Sequence, residues 1–185
     1  MSMHAWTADQ LDLWRRIEAH EFEPPGHALS FTRRLARVRG WSMGFARAAV
    51  LEYRRFCFMA AVSTSPVTPS EEVDEVWHAH LIYSRDYWDV WCGTVLRTKL
   101  HHEPTRGGLA EQGRHSAAYA ETLVRYETWF GPADEALWPA THVRFRTASR
   151  FRVVDTDRWL VLPRPPPLRD WLRRSKAALG FGGAA

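Results

Sequence analysis

Residues 42–62, SMGFARAAVLEYRRFCFMAAV, decide the fold. Phe45, Ala49, Tyr53, Phe56 and Ala60 recur at three- and four-residue steps, the spacing that lines one face of an α-helix. Ser42 stands where a hydroxyl accepts from the first helical turn. A helix this long and this apolar reads as the centre of a core, with the rest of the chain as its cover.

Upstream, Thr7 caps a first helix, Gln10 completes a capping box, and Leu11, Leu13, Trp14 and Ile17 form its apolar stripe. That helix ends before Pro24-Pro25. A second runs from about Leu29 to Val38, with Phe31, Leu35 and Val38 inward and Arg33, Arg34 and Arg37 outward, and Gly40 closes it. Downstream, Ser63 to Pro69 is a Ser-, Thr- and Pro-rich linker, and Thr68 or Ser70 caps the helix that carries VDEVWHAH, residues 73–80.

Arg85 to Leu96 reads as a further helix, rich in aromatics (Tyr87, Trp88, Trp91), leading into LHHEP at 100–104 and a turn that reaches Gly108. From about Glu111 to Phe130, the spacing of Tyr119, Thr122, Tyr126 and Phe130 marks a last long helix, which Gly131-Pro132 ends. Past Trp138-Pro139 the pattern changes to FRVVDTDRWLVLP, β-branched and aromatic residues around an Asp-Thr-Asp turn. The expected fold is mainly α: one helical domain of about five to six helices over 1–140, a short β-hairpin over 141–163, and a proline-rich spacer with a basic amphipathic helical tail over 164–185.

At 185 residues and 45% apolar content, with 10 Trp, 9 Phe and 5 Tyr, the chain has the large side chains that one core needs. Only Cys57 and Cys92 are present, both in apolar helical patterns, which excludes a disulfide framework or a four-thiolate zinc site. MSMHAWTADQLDLW carries acidic residues where a secretory signal starts basic, and the longest apolar run, Phe56 to Val62, is far short of a membrane span. The expected compartment is the cytoplasm. Net charge is +4, but residues 1–143 hold 15 Lys and Arg against 18 Asp and Glu, and residues 144–185 hold 10 against 3. Nucleic-acid binding is therefore expected only through the basic C-terminal tail.

Five of the nine histidines lie between positions 78 and 115, and neutral imidazole is the commonest protein ligand of transition metals. On a regular helix His78 and His80 point about 200° apart, so they do not share one ion unless the helix breaks. Val76, Trp77, His80 and Leu81 fall on the inward face with Val73. Asp74 and His78, four apart, share a flank, where they offer two ligands to one ion or let the carboxylate orient the ring. His101 and His102 are the candidates for the remaining ligands. His80, on the apolar stripe, also reads as a hydrogen-bonded core histidine, and His115, beside Arg114, as solvated surface. Gly107-Gly108 has neither the lysine nor the setting of a phosphate loop.

The segments VTPSEEVDEVWHAHLIYSRDYW, LHHEPTRGG, YAETLVRYETWFG and LWP, with LARVRGWSMGFARAAVLEYRRF upstream, resemble the bacterial glycine-rich-domain-like family. The resemblance covers about residues 10–139 and names kin without naming a reaction. It implies that Asp74, Trp77, His78, His80 and His102 occupy motif positions. Plant relatives carry glycine-rich tails and RNA-recognition modules, and many relatives have membrane segments; neither is evident here.

The expected function is a helical protein binding one divalent metal, Zn or Fe(II), through His78, His102 and one or two of Asp74, His80 and His101. As an enzyme it activates water or oxygen at an open coordination position, with Tyr83 or Arg85 orienting an unidentified small molecule. The rival is a non-catalytic interaction module, with a buried histidine network and a basic tail that docks on an acidic protein partner or RNA.

Overall fold

The structure is a computed structural model, and it describes residues 6–22, 26, 28–104, 108–146, 154–155 and 157–162. Six α-helices and one π helix follow in order: α1 (Ala8–Ala19), α2 (Phe31–Arg39), α3 (Met43–Val62), α4 (Glu71–Ile82), the π helix (Asp86–Leu96), α5 (Leu109–Phe130) and α6 (Thr141–Arg144).

The caps read from the sequence are made. Thr7 and Gln10 form the reciprocal capping box of α1, Ser42 caps α3 through the Phe45 amide, and Ser70, not Thr68, caps α4 through Val73. Gly40 takes the left-handed conformation that closes α2, its φ of 67° being one that only glycine adopts without cost. Two stripe residues differ from expectation. Leu13, Ile17, Phe31 and Leu35 are buried, but Leu11 and Val38 are 43% and 67% exposed.

α3 is the hub, packing against α1, α2, α4, α5 and the π helix. Tyr53, Phe56, Cys57, Phe58 and Met59 are all fully buried, so this helix is covered on nearly every side at its middle. A carboxylate inside that core, Glu52, accepts hydrogen bonds from Tyr126 Oη (2.7 Å), Trp138 Nε1 (2.9 Å) and Arg55 (2.8 Å). A buried charge survives only when paired and hydrogen-bonded; here the pairing fastens α5 and the Leu137–Trp138 turn to α3. The linker before α4 is held likewise, the Thr68 amide donating to Thr122 Oγ1 at 2.9 Å.

Three expectations need correction. The stretch read as an ordinary helix over 85–96 is wound as a π helix, which changes the residues that share its inner face. Its buried set is Tyr87, Trp91, Cys92, Val95 and Leu96. Position 141 starts no strand: Thr141–Arg144 form one helical turn, and Phe145 packs on Tyr119 with ring centroids 5.7 Å apart. Among the described residues the helices number seven, above the five to six expected.

A second unit begins at residue 151. Its described part, 154–155 and 157–162, holds a turn in which the Asp157 amide donates to Asp155 Oδ1 at 3.0 Å, and no strand occurs among these residues. Residues 147–153, 156 and 163 of the expected hairpin and all of the basic tail over 164–185 lie outside the described residues. No described helix is long and apolar enough to cross a membrane.

Candidate metal centre

α4 has two chemically distinct sides. Its inward face carries Val73, Val76, Trp77 and His80, all buried, and its flank carries Asp74 and His78 one turn apart. Each side meets a different partner group, and the two histidines fall into separate clusters, as their angular separation requires.

On the flank, Asp74, His78 and His102 converge. His102 Nε2 lies 2.8 Å from Asp74 Oδ1, His78 Nδ1 lies 3.8 Å from Asp74 Oδ2, and the two imidazole centroids are 4.5 Å apart. One ligand atom from each residue falls within 4.8 Å of the others, a spacing that one ion can bridge. Exposure is graded: the His102 side chain is 18% exposed, Asp74 30% and His78 46%. The group is anchored on one side and open on the other.

His102 reaches Asp74 because the chain reverses after the π helix. Arg97 closes that helix in the left-handed region at φ 56°, the one described non-glycine residue with positive φ. The returning segment is then fixed from inside. Trp77 Nε1 donates to Tyr87 Oη at 2.9 Å, and Tyr87 Oη donates to the Leu100 carbonyl, two residues before His102. The Trp77 ring floors the site, 4.3 Å from the His102 ring.

The open side is a cavity of about 470 Å³, and its lining includes Asp74, His78, His101, His102, His115 and Arg144. Arg144 pairs with Glu71 at 2.9 Å and lies over the Phe145 ring. Burial, and then the Arg144 charge, hold the His115 imidazole below its ordinary pKa. The cavity thus joins a two-histidine, one-carboxylate donor set to a wall bearing a guanidinium.

The inward side of α4 forms the second cluster. His80 Nε2 and His20 Nε2 both point at Asp86 Oδ2, at 2.8 and 3.1 Å. His80 Nδ1 is 2.9 Å from Tyr53 Oη. Burial lowers both imidazole pKa values. Burial alone would raise the Asp86 carboxyl, but the hydrogen bond from His80 and the neighbouring imidazoles hold it below its ordinary range.

The structure therefore brings together Asp74, His78 and His102 and removes His80 from that group. His101 lines the cavity, but its ring sits 5.5 Å from Trp88 and belongs to neither three-residue cluster. Tyr83 and Arg85 do not line the cavity: the Tyr83 hydroxyl accepts from Arg34 Nε at 2.9 Å, and Arg85 is exposed at the start of the π helix. His115, read as solvated surface, does line it. The signal was present, since His115 extends the stripe of Tyr119, Thr122 and Tyr126 by one turn. His20 and Asp86 were missed altogether. The pointer to them was His80 itself, because a histidine on a buried stripe demands a polar partner.

No protein-family model, curated protein or solved structure matches this chain.

Proposed function

We propose that this protein binds a divalent metal, Zn or Fe(II), at Asp74, His78 and His102, and admits a small molecule to it through the adjoining cavity. What carries the reading is the meeting of these three ligand atoms within 4.8 Å at the wall of that cavity. Two imidazoles and a carboxylate suit either ion, and three protein ligands leave coordination positions for water or substrate. When bound, an ion of this class supplies Lewis acidity and an activated water or oxygen. The protein's own residues do the rest: Trp77 and Tyr87 hold His102 in place, Asp74 neutralises charge on the ion, and His115 and the Glu71-paired Arg144 present hydrogen-bonding groups to the incoming molecule from the cavity wall.

Kinship with the glycine-rich-domain-like family belongs to the same proposal and rests on VDEVWHAH and HHEPTRGG. A cytoplasmic setting belongs to it too, supported by free, buried Cys57 and Cys92. A second reading draws on the 2.8 Å contact of His102 with Asp74, which a metal-free hydrogen bond explains equally well. Metal analysis of the purified chain separates the two. The proposal expects a tightly held ion in the wild type that is lost from His78→Ala and His102→Ala; a wild type that retains and takes up none at this site leaves only the network.

A further inference from the structure

We propose that His20, His80 and Asp86 form a second, structural divalent-metal site that joins the end of α1, the inward face of α4 and the first residue of the π helix. It takes Zn or a cation of similar softness, and it stands independently of the centre at Asp74.

The ligand atoms are already grouped. His80 Nε2 and His20 Nε2 approach one carboxylate oxygen at 2.8 and 3.1 Å, and one ligand atom of each residue lies within 4.8 Å of the others. An ion held at about 2.0–2.2 Å from each in tetrahedral geometry spaces its ligands by about 3.3–3.6 Å. The two carboxylate–imidazole contacts therefore open by about 0.2–0.8 Å to admit it, and the two imidazole nitrogens close from a separation of at most 4.8 Å. Asp86, the most exposed of the three side chains at 23% against 1% for His80 and 6% for His20, offers its second carboxylate oxygen as a further ligand.

The surroundings orient the set as metal sites require. Ligating histidines commonly give their other ring nitrogen a hydrogen-bond partner, and Tyr53 Oη lies 2.9 Å from His80 Nδ1. Without an ion, His80 donates through Nε2 to Asp86 and accepts at Nδ1 from the tyrosine. With an ion on Nε2 the proton moves to Nδ1, and the tyrosine becomes the acceptor while its hydroxyl turns to the neighbouring Cys57 Sγ. Both tautomers are satisfied in place. His20 is fixed through its backbone, since Arg54 Nη2 donates to the His20 carbonyl at 2.6 Å and Arg54 Nη1 to that of Ile17. Phe22 and Trp91 close the apolar wall, with ring centroids 4.8 Å from His80 and 5.0 Å from His20.

The test uses the full chain stripped by chelator, loaded with Zn(II), passed through gel filtration and assayed for bound metal and melting temperature. Wild type should retain two ions, and His20→Gln and His102→Gln one each. The melting temperature should rise with Zn(II) in His102→Gln, and markedly less in His20→Gln. A His20→Gln variant that keeps the wild-type stoichiometry and thermal shift overturns the second site. One ion lost only in His102→Gln removes this inference and leaves the proposed centre; one ion lost only in His20→Gln does the reverse. Long-range ¹H–¹⁵N spectra of the wild type guard against a variant that fails to fold. The Nε2 resonances of His20 and His80 should move to metal-bound positions on Zn(II) addition, and unmoved resonances overturn the inference.

Discussion

The Nε2 of His102 lies 2.8 Å from Oδ1 of Asp74, two residues separated by 28 positions and supplied by different elements. One partner is placed by helical spacing alone, because Asp74 and His78 stand one turn apart on α4. The other depends on a chain reversal, and so on every contact that fixes the segment from Arg97 to His102. The centre is only as well ordered as that return.

Tyr87 is the contact that fixes it most directly. Tyr87→Phe removes the acceptor for Trp77 Nε1 and the donor to the Leu100 carbonyl, and it should cost about 1–3 kcal/mol in urea unfolding, the range for a buried polar group left unpaired. Metal affinity at Asp74, His78 and His102 should fall about 10- to 100-fold, as when outer partners of a metal site are lost. Unchanged affinity in a destabilised variant would show that the returning segment holds without the tyrosine.

Arg97 sits at φ 56°, where an L side chain costs about 1–2 kcal/mol. Glycine there relieves the strain but adds freedom to the unfolded chain. Arg97→Gly should therefore be stabilising by about 0.5–1 kcal/mol in denaturant titration, with metal binding preserved. A net loss of stability would reveal a role for the guanidinium that outweighs the backbone.

The core carboxylate gives a prediction about the fold. Glu52→Ala leaves the Tyr126 hydroxyl and Trp138 Nε1 without their acceptor and takes the carboxylate from Arg55, which keeps only its bond to Tyr126 Oη, so the loss should reach about 3–5 kcal/mol. Glu52→Gln, which keeps an acceptor of the same shape, should lose less. Equal losses in the two variants would mean that side-chain charge outweighs hydrogen bonding here.

Acid should weaken the metal-free protein through His20 and His80. Both imidazoles are held below their ordinary 6.5, chiefly by burial, with Arg54 opposing the charged form, Asp86 favouring it, and Tyr53 bonded to the His80 ring. The unfolded chain binds these protons near pH 6.5 and the folded chain only at lower pH, so the unfolded state carries more protons in between. Stability from this pair is present above about pH 6.5 and falls as pH drops from there toward the folded values. Urea midpoints at pH 7.5 and 5.5 check it: the midpoint should fall at the lower pH, by less in His80→Gln, and equal midpoints in the wild type would contradict the assignment.

Local signals in the sequence carried far. Caps at Thr7, Ser42 and Ser70 and the periodicity of α3 give the helices, because capping and amphipathic spacing are set within a few residues. The pair Asp74 and His78 was legible for the same reason. What one sequence does not display is tertiary placement. Nothing in the residues around Asp86 announces a π helix, and Val38 follows the buried spacing of α2 yet faces solvent. His20 meets His80 only because α1 and α4 both pack about the hub, and Tyr83 and Arg85, close to the motif in sequence, point away from its cavity. His115 was nearer to hand, one helical turn before a stripe already recognised.

The most direct measurement is an anomalous difference map, at the metal edge, from crystals of the Zn(II)-loaded chain. A peak bonded to Asp74, His78 and His102 is expected, at about 2.0–2.2 Å from the carboxylate oxygen and the two imidazole nitrogens. A map with no peak among these three residues, and His102 still hydrogen-bonded to Asp74 as it is now, would contradict the proposed centre.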